Sequence, residues 1–148
     1  MAMTMNGEYE LAVPPQTVWE KLNDAATLQA CIPGCEQLDK TSDTEFQAVA
    51  TVKIGPVKAK FKGRVTLSDL DPPNGYKIVG EGEGGVAGFA KGSAHVKLSD
   101  KDGGTLLTYN VEAQIGGKLA QLGQRLVNGA AKKLADDFFT KFAAAVKV

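Results

Sequence analysis

Cys31 and Cys35, spaced as C-I-P-G-C, are the residue types in this chain that most invite chemistry. Two thiols are too few for a structural zinc site, which takes four ligands, and the lone histidine, His95, lies far along the chain. A bridge between them would close a very small loop, so free thiols on a turn are the expected state. Gly80 to Gly85 spells G-x-G-x-x-G, but a strand pattern runs through it and Glu81 and Glu83 would face a pyrophosphate. It lacks the strand-then-helix setting of a dinucleotide fingerprint. His95 falls on the polar face of a strand between Lys91 and Lys97 and reads as a surface residue. Asp136 and Asp137 are helix neighbours that diverge by about 100°, so they cannot act as a carboxylate pair. Lys58, Lys60, Lys62 and Arg64 alternate along one strand as a solvated face, with a basic patch for a partner or anionic lipid as the sharper reading. No nucleophile–base pair and no metal cluster emerges. The chain makes a better container than a catalyst.

The totals narrow the class. At 148 residues the chain is one domain, residues 1–148, with enough length for a core that needs no staples. Seventeen basic residues balance seventeen acidic ones, which removes the electrostatic case for nucleic acid. No apolar run reaches the length of a membrane span, and the N-terminus has no signal-peptide pattern. The expected location is the cytoplasm.

The elements that must position these residues begin with Glu8 to Val13, which alternates as a first strand, with Met1 to Met5 expected to be loose. Pro14-Pro15 stops it and opens a short helix, Gln16 to Asn23, burying Val18, Trp19 and Leu22. Asp24 caps a second helix, Ala25 to Ala30, and Cys35 to Lys40 is a short edge strand. The period then becomes two. Phe46, Ala48, Ala50, Val52 and Ile54 share one face, followed past Gly55-Pro56 by Val57, Ala59, Phe61, Gly63, Val65 and Leu67. Tyr76, Ile78, Gly80 and Gly82 continue the inward face, then Ala90 to Leu98, then Leu107, Tyr109, Val111 and Ala113. Gly84 to Phe89 is a flexible hairpin tip, read either as a permissive turn or as a lid that could touch a membrane.

From Gly117 to Val148, apolar residues at Leu119, Leu122, Leu126, Ala130, Leu134, Phe138 and Phe142 follow helical spacing through about eight turns. A β-αα-β6-α order results. The fold class is α+β, a curved antiparallel sheet of about seven strands wrapped round a long C-terminal helix, the one element able to cover its apolar face. Small residues crowd both surfaces: Ala48, Ala50, Ala59, Gly63, Gly80, Gly82, Ala90 and Gly92 on the sheet, Gly123 and Gly129 on the helix. Close packing would require large residues opposite them. Either the sheet bends sharply there or a cavity remains, and the cavity is favoured. Its expected lining is Phe46, Ala48, Ala50, Phe61, Gly63, Tyr76, Ile78, Gly82, Phe89, Tyr109, Leu119, Leu122, Gly123 and Leu126, with Gln121 and Arg125 as contacts to a ligand's head group.

Certain stretches carry a family resemblance: Pro14 to Trp19, Leu22-Asn23-Asp24, Cys31-Ile32-Pro33-Gly34-Cys35-Glu36, Gly55-Pro56-Val57 and Gly117 to Gly123. Across nearly the whole chain they resemble the CoxG family of carbon monoxide dehydrogenase subunits. That family sits in the START-like (SRPBCC) superfamily with polyketide cyclases and the birch-pollen allergen Bet v 1. The resemblance implies a helix-grip fold with an apolar cavity. It also implies an accessory role for a molybdenum CO dehydrogenase or related hydroxylase, with peripheral contact at the cytoplasmic face of the inner membrane. It implies no covalent cofactor and no catalytic residue; a quinone or lipid is the implied ligand. Alternative readings are a cavity-based cyclase or hydrolase using Tyr76 and Tyr109, and an assembly factor acting by protein contact.

Overall fold

The computed structural model describes residues 1–147; Val148, the last residue of the expected C-terminal helix, lies outside the described residues. The strands are β1 (Ala2–Leu11), β2 (Cys35–Ser42), β3 (Glu45–Ile54), β4 (Val57–Asp71), β5 (Gly75–Glu83), β6 (Phe89–Lys101) and β7 (Gly104–Gly116). The helices are α1 (Pro15–Leu22), α2 (Ala25–Cys31), α3 (Lys118–Gln121) and α4 (Gln124–Val146). All strands pair antiparallel in one sheet, ordered β1-β7-β6-β5-β4-β3-β2. Six strands form the expected meander, and β1 returns to the far edge beside β7. The expected fold class is what is found.

Local chemistry explains the helix starts. Pro15 stands in the first turn of α1, where a missing N–H costs nothing. Asp24 caps α2 by accepting from the Thr27 amide at 3.2 Å. Two expectations fail at the chain's ends. β1 begins at Ala2, not Glu8, because ten residues from Ala2 to Leu11 pair continuously with β7. The C-terminal helix is not continuous: Gly123 takes φ +90 and ψ 153, separating a one-turn α3 from α4. Such a backbone is open almost only to glycine.

The core divides in two. One cluster centres on Phe142, which is fully buried, with Val18, Leu22, Leu38, Phe46, Leu67, Tyr76, Leu98, Leu107 and Val146; α1 and α2 close that end. A smaller cluster at the other end joins Met3, Ile115, Leu119 and Val127. α4 runs between them across the sheet's concave face.

Candidate functional site

Strand register builds the zone between the two clusters. One row across the sheet reads Ala48, Gly63, Gly82, Ala90, and the next reads Val65, Gly80, Gly92, Ala113. Side chains in a row lie on the same face, so these two rows form a trough of small residues facing α4. The glycines there are not equivalent. A Cβ on Gly92 would collide with the backbone carbonyl of Glu112, so that glycine permits close strand approach. A Cβ on Gly82 would meet nothing nearer than the Lys62 carbonyl at 3.8 Å, and on Gly80 nothing nearer than 3.8 Å. At those two a side chain would meet its neighbours at ordinary contact distance, with no backbone in the way. Around the trough Phe61, Val65, Ile78 and Val111 point inward from central strands, yet each stays only part-buried.

The expected lining residues sort into groups. Phe46, Tyr76 and Tyr109 are buried in the Phe142 cluster, and Ala48 and Ile78 pack against it. Leu119 is buried in the second cluster, with Phe61 and Leu122 against it. Ala50, Gly63 and Gly82 lie inward between them. Three expectations need correction. Phe89 shares the outward parity of Lys91 and packs over Gly116 on the outer face, 44% exposed. Leu126 is 42% exposed, because the break at Gly123 rotates α4 so that Val127, at 3%, takes the inward position. Gly123 is itself exposed, with nothing within 4 Å of a would-be Cβ. Its role is the break, not the lining.

The polar candidates also separate. Gln121 and Arg125 are both exposed. Arg125 rims an open groove of about 670 Å³ between the β3–β4 tip and α4, whose apolar floor is Ile54, Leu122, Leu126 and Ala130. Tyr76 is buried, touches Trp19 edge-on at 5.2 Å between ring centres, and its hydroxyl makes no hydrogen bond among the described residues. Burial holds that phenol neutral well above its ordinary range.

Periodicity alone missed a second polar group. Tyr9 donates to Asp136 Oδ1, and Lys132 donates to Oδ2 at 2.9 Å. The Tyr9 ring stacks on Phe139 at 4.1 Å, and Tyr109 lies on the same ring at 5.8 Å. Burial, then the bond to Asp136, raises the Tyr9 phenol, while the bonds from Tyr9 and Lys132 hold the Asp136 carboxyl low. The aspartates diverge as expected, Asp137 pairing with Lys133 at 3.0 Å. This group fastens α4 to the edge strand.

Elsewhere the candidate chemistry is quiet. Cys31 is buried, Cys35 half-buried, both are free, and burial raises both thiols away from the reactive thiolate. Gly80 to Gly85 runs out of β5 into a single 3-10 turn, Gly85–Ala87, with no α-helix behind it. His95 is exposed. Register sets Glu83 opposite Lys62 and Glu81 between Arg64 and Lys91, but none of these closes to an ion pair among the described residues. Among the described residues no group of His, Cys, Asp and Glu could hold a metal, and no helix is long and apolar enough to cross a membrane.

Known proteins share this geometry. The family model for CoxG, a subunit of carbon monoxide dehydrogenase, matches residues 7–147. A conserved protein from Geobacillus kaustophilus is 36% identical, with TM-score 0.92, over 98% of this chain and 95% of its own. Ara h 8.0201 is 16% identical with TM-score 0.69, covering 99% of this chain and 98% of its own. The ZhuI aromatase/cyclase from Streptomyces sp. R1128 is 12% identical with TM-score 0.72, covering 99% and 94%. The last two share the fold alone. No curated protein matches.

Proposed function

Because the chain belongs to the CoxG family of carbon monoxide dehydrogenase subunits, we propose that it holds an apolar small molecule between the sheet and α4 and serves a CO dehydrogenase-type molybdenum hydroxylase as an accessory protein. An isoprenoid quinone is the ligand we favour, and its exchange would couple that enzyme to the membrane. The observation that carries the reading is the trough: at Gly80 and Gly82 no backbone stands nearer than ordinary contact distance to a would-be side chain, these rows lie between two separate cores, and large inward side chains around them are not fully buried. A domain filled for stability alone would close-pack that zone. The Tyr76 hydroxyl has no protein partner among the described residues, and since no fully buried polar side-chain atom is left unpartnered there it keeps access to solvent, which leaves it free to donate to a quinone carbonyl.

Trp19 supplies the assay. It is the lone tryptophan, packs against the Phe142 cluster and touches Tyr76, so a quinone in the trough would quench its emission. Saturable quenching by a short-chain menaquinone analogue, with the same compound recovered from the purified protein by extraction, is the expected result. A protein that carries nothing and whose emission ignores added quinone would sink the reading.

A further inference from the structure

Strand register also orders the face of the sheet turned away from α4. Across β3, β4, β5 and β6 one outward row reads Val49, Lys62, Glu83, Phe89, and the next reads Gln47, Arg64, Glu81, Lys91. Opposite charges therefore stand abreast on β4 and β5. A solvated sheet gains from closing such cross-strand pairs. Here none of these charged side chains closes to an ion pair among the described residues, so all remain available. Apolar bulk lies among them: Phe89 is 44% exposed, Val79 in the following row is 43% exposed, and Val49 is half-buried. With Glu45 of that following row, three acids (Glu45, Glu81, Glu83) balance three bases (Lys62, Arg64, Lys91). A face without excess of either sign suits neither an acidic nor a basic partner. It suits one whose charges repeat its own.

We propose that this outer face is the contact between two copies of the chain, related by a two-fold axis that runs along the strands between β4 and β5. Such an axis exchanges β4 with β5 and β3 with β6 at every level. Lys62 then meets Glu83 of the second copy, Arg64 meets its Glu81, and Val49 meets its Phe89, each contact occurring twice. One row on, Thr66 meets Val79 of the second copy, while Lys91 and Glu45 meet its Gln47 and Ser93. No like charges meet in these rows. Other axes fail that condition. An axis centred on β5 would set Glu81 against Glu81 and Arg64 against Lys91, and one following the Arg64 row would set each of its charges against itself. Face-packed sheets stand about 10 Å apart with their strands nearly aligned, a gap that arginine and glutamate side chains span together. Because the sheet curls round α4, its outer face falls away toward the edges, and contact is confined to the central strands that carry the complementary rows. α4 and the trough stay outside the contact, so this inference stands apart from the carrier reading.

The test is analytical ultracentrifugation of the full chain over a range of concentrations, at low and raised salt. A monomer–dimer equilibrium that weakens with salt is expected. Arg64→Glu sets glutamates against each other and Glu81→Arg sets arginines against each other, so each variant alone should associate at least about tenfold more weakly. An equimolar mixture of the two variants should dimerise again. The two-fold axis then pairs the new glutamate of one with the new arginine of the other, and leaves Glu81 of the first facing Arg64 of the second. A variant that had lost its fold could not give that rescue. Lys97→Glu, exposed on the same face but farther along β6 than Ser93, should change nothing. A chain that stays monomeric at every concentration in low salt overturns the proposal. So does a dimer that tolerates both single variants, or a pair of variants that lose the dimer alone and stay apart when mixed.

Discussion

Replacing Gly82 by valine tests whether the trough is hollow, because a hollow and a filled interior predict opposite signs. Gly82 has no positive φ, and its new Cβ would meet the Lys62 carbonyl at an ordinary 3.8 Å, so the backbone accepts the change. Its row neighbours, Gly63 and Ala90, put no bulk in the way. Removing a strand glycine should gain about 0.5–1 kcal/mol, and a β-branched residue suits the site by up to about 1 kcal/mol more. With the trough empty, nothing offsets that gain, and a melting temperature higher by about 2–4 °C is expected by calorimetry. The valine methyls would occupy ligand space, so quinone quenching of Trp19 should weaken at least tenfold, about 1.4 kcal/mol. With the trough already filled, the added methyls would cost about 1–3 kcal/mol and the melting temperature would drop. A drop with unchanged fold by circular dichroism refutes the hollow. A rise with quinone affinity intact would keep the hollow but remove the ligand from it.

Other substitutions check neighbouring steps. Gly123→Ala should destabilise by about 1–3 kcal/mol because φ +90 excludes a side chain, whereas Gly129→Ala, exposed inside α4, should stabilise by about 1 kcal/mol; chemical denaturation of the pair reads the contrast. Phe142→Ala, at a fully buried position, should cost about 3–5 kcal/mol in the same measurement. Tyr76→Phe should leave stability within about 0.5 kcal/mol, since the hydroxyl has no protein partner among the described residues, while weakening quinone binding by up to about tenfold. The pH dependence has a fixed sign. Burial raises the Tyr76 phenol in the folded protein, so the unfolded chain releases its proton first as pH climbs past about 10. The stability contribution is therefore complete below that pH and lost above it, by up to about 1.4 kcal/mol per pH unit, and urea melts of Tyr76→Phe should show a shallower alkaline decline.

Strand faces were legible because a period of two survives any local irregularity: Phe46, Val65, Gly80 and Tyr76 all point where alternation puts them. The helix was less legible. Leu119, Leu122 and Leu126 fit a continuous stripe, and glycine inside a helix is a tolerated cost, so spacing could not reveal that Gly123 adopts a positive φ. The break shifts the register by one residue, which exposes Leu126 and buries Val127. Phe89 was misplaced by its bulk; its neighbours Ala90 and Gly92 already assign it the outer face. Tyr9 and Asp136 lie 127 residues apart, and their bond depends on where α4 crosses β1, which no local pattern encodes.

Gly80, Gly82 and Gly92 bear on what composition left open. A sharp bend and a cavity were alternatives at the sequence level, yet the same small-residue trough has a separate glycine for each. At Gly92 any side chain would strike the Glu112 carbonyl, so the β6–β7 backbones can approach closely, as a tightly curled sheet requires. At Gly80 and Gly82 no backbone lies that near, so glycine there serves no curvature and withholds only volume. Curling alone would bring the sheet down onto α4 and fill the space. Withholding volume alone in a flat sheet would leave an open face. Both together would leave room under a curved wall, closed at one end by Phe142 and its cluster and at the other by Leu119 and Val127. On this reasoning Gly92→Ala should lower stability without regard to ligand, whereas Gly80→Val should spare stability and lower affinity. Equal loss of stability in both variants, measured by denaturant melts, would mean that all three glycines serve the bend and that no space was kept.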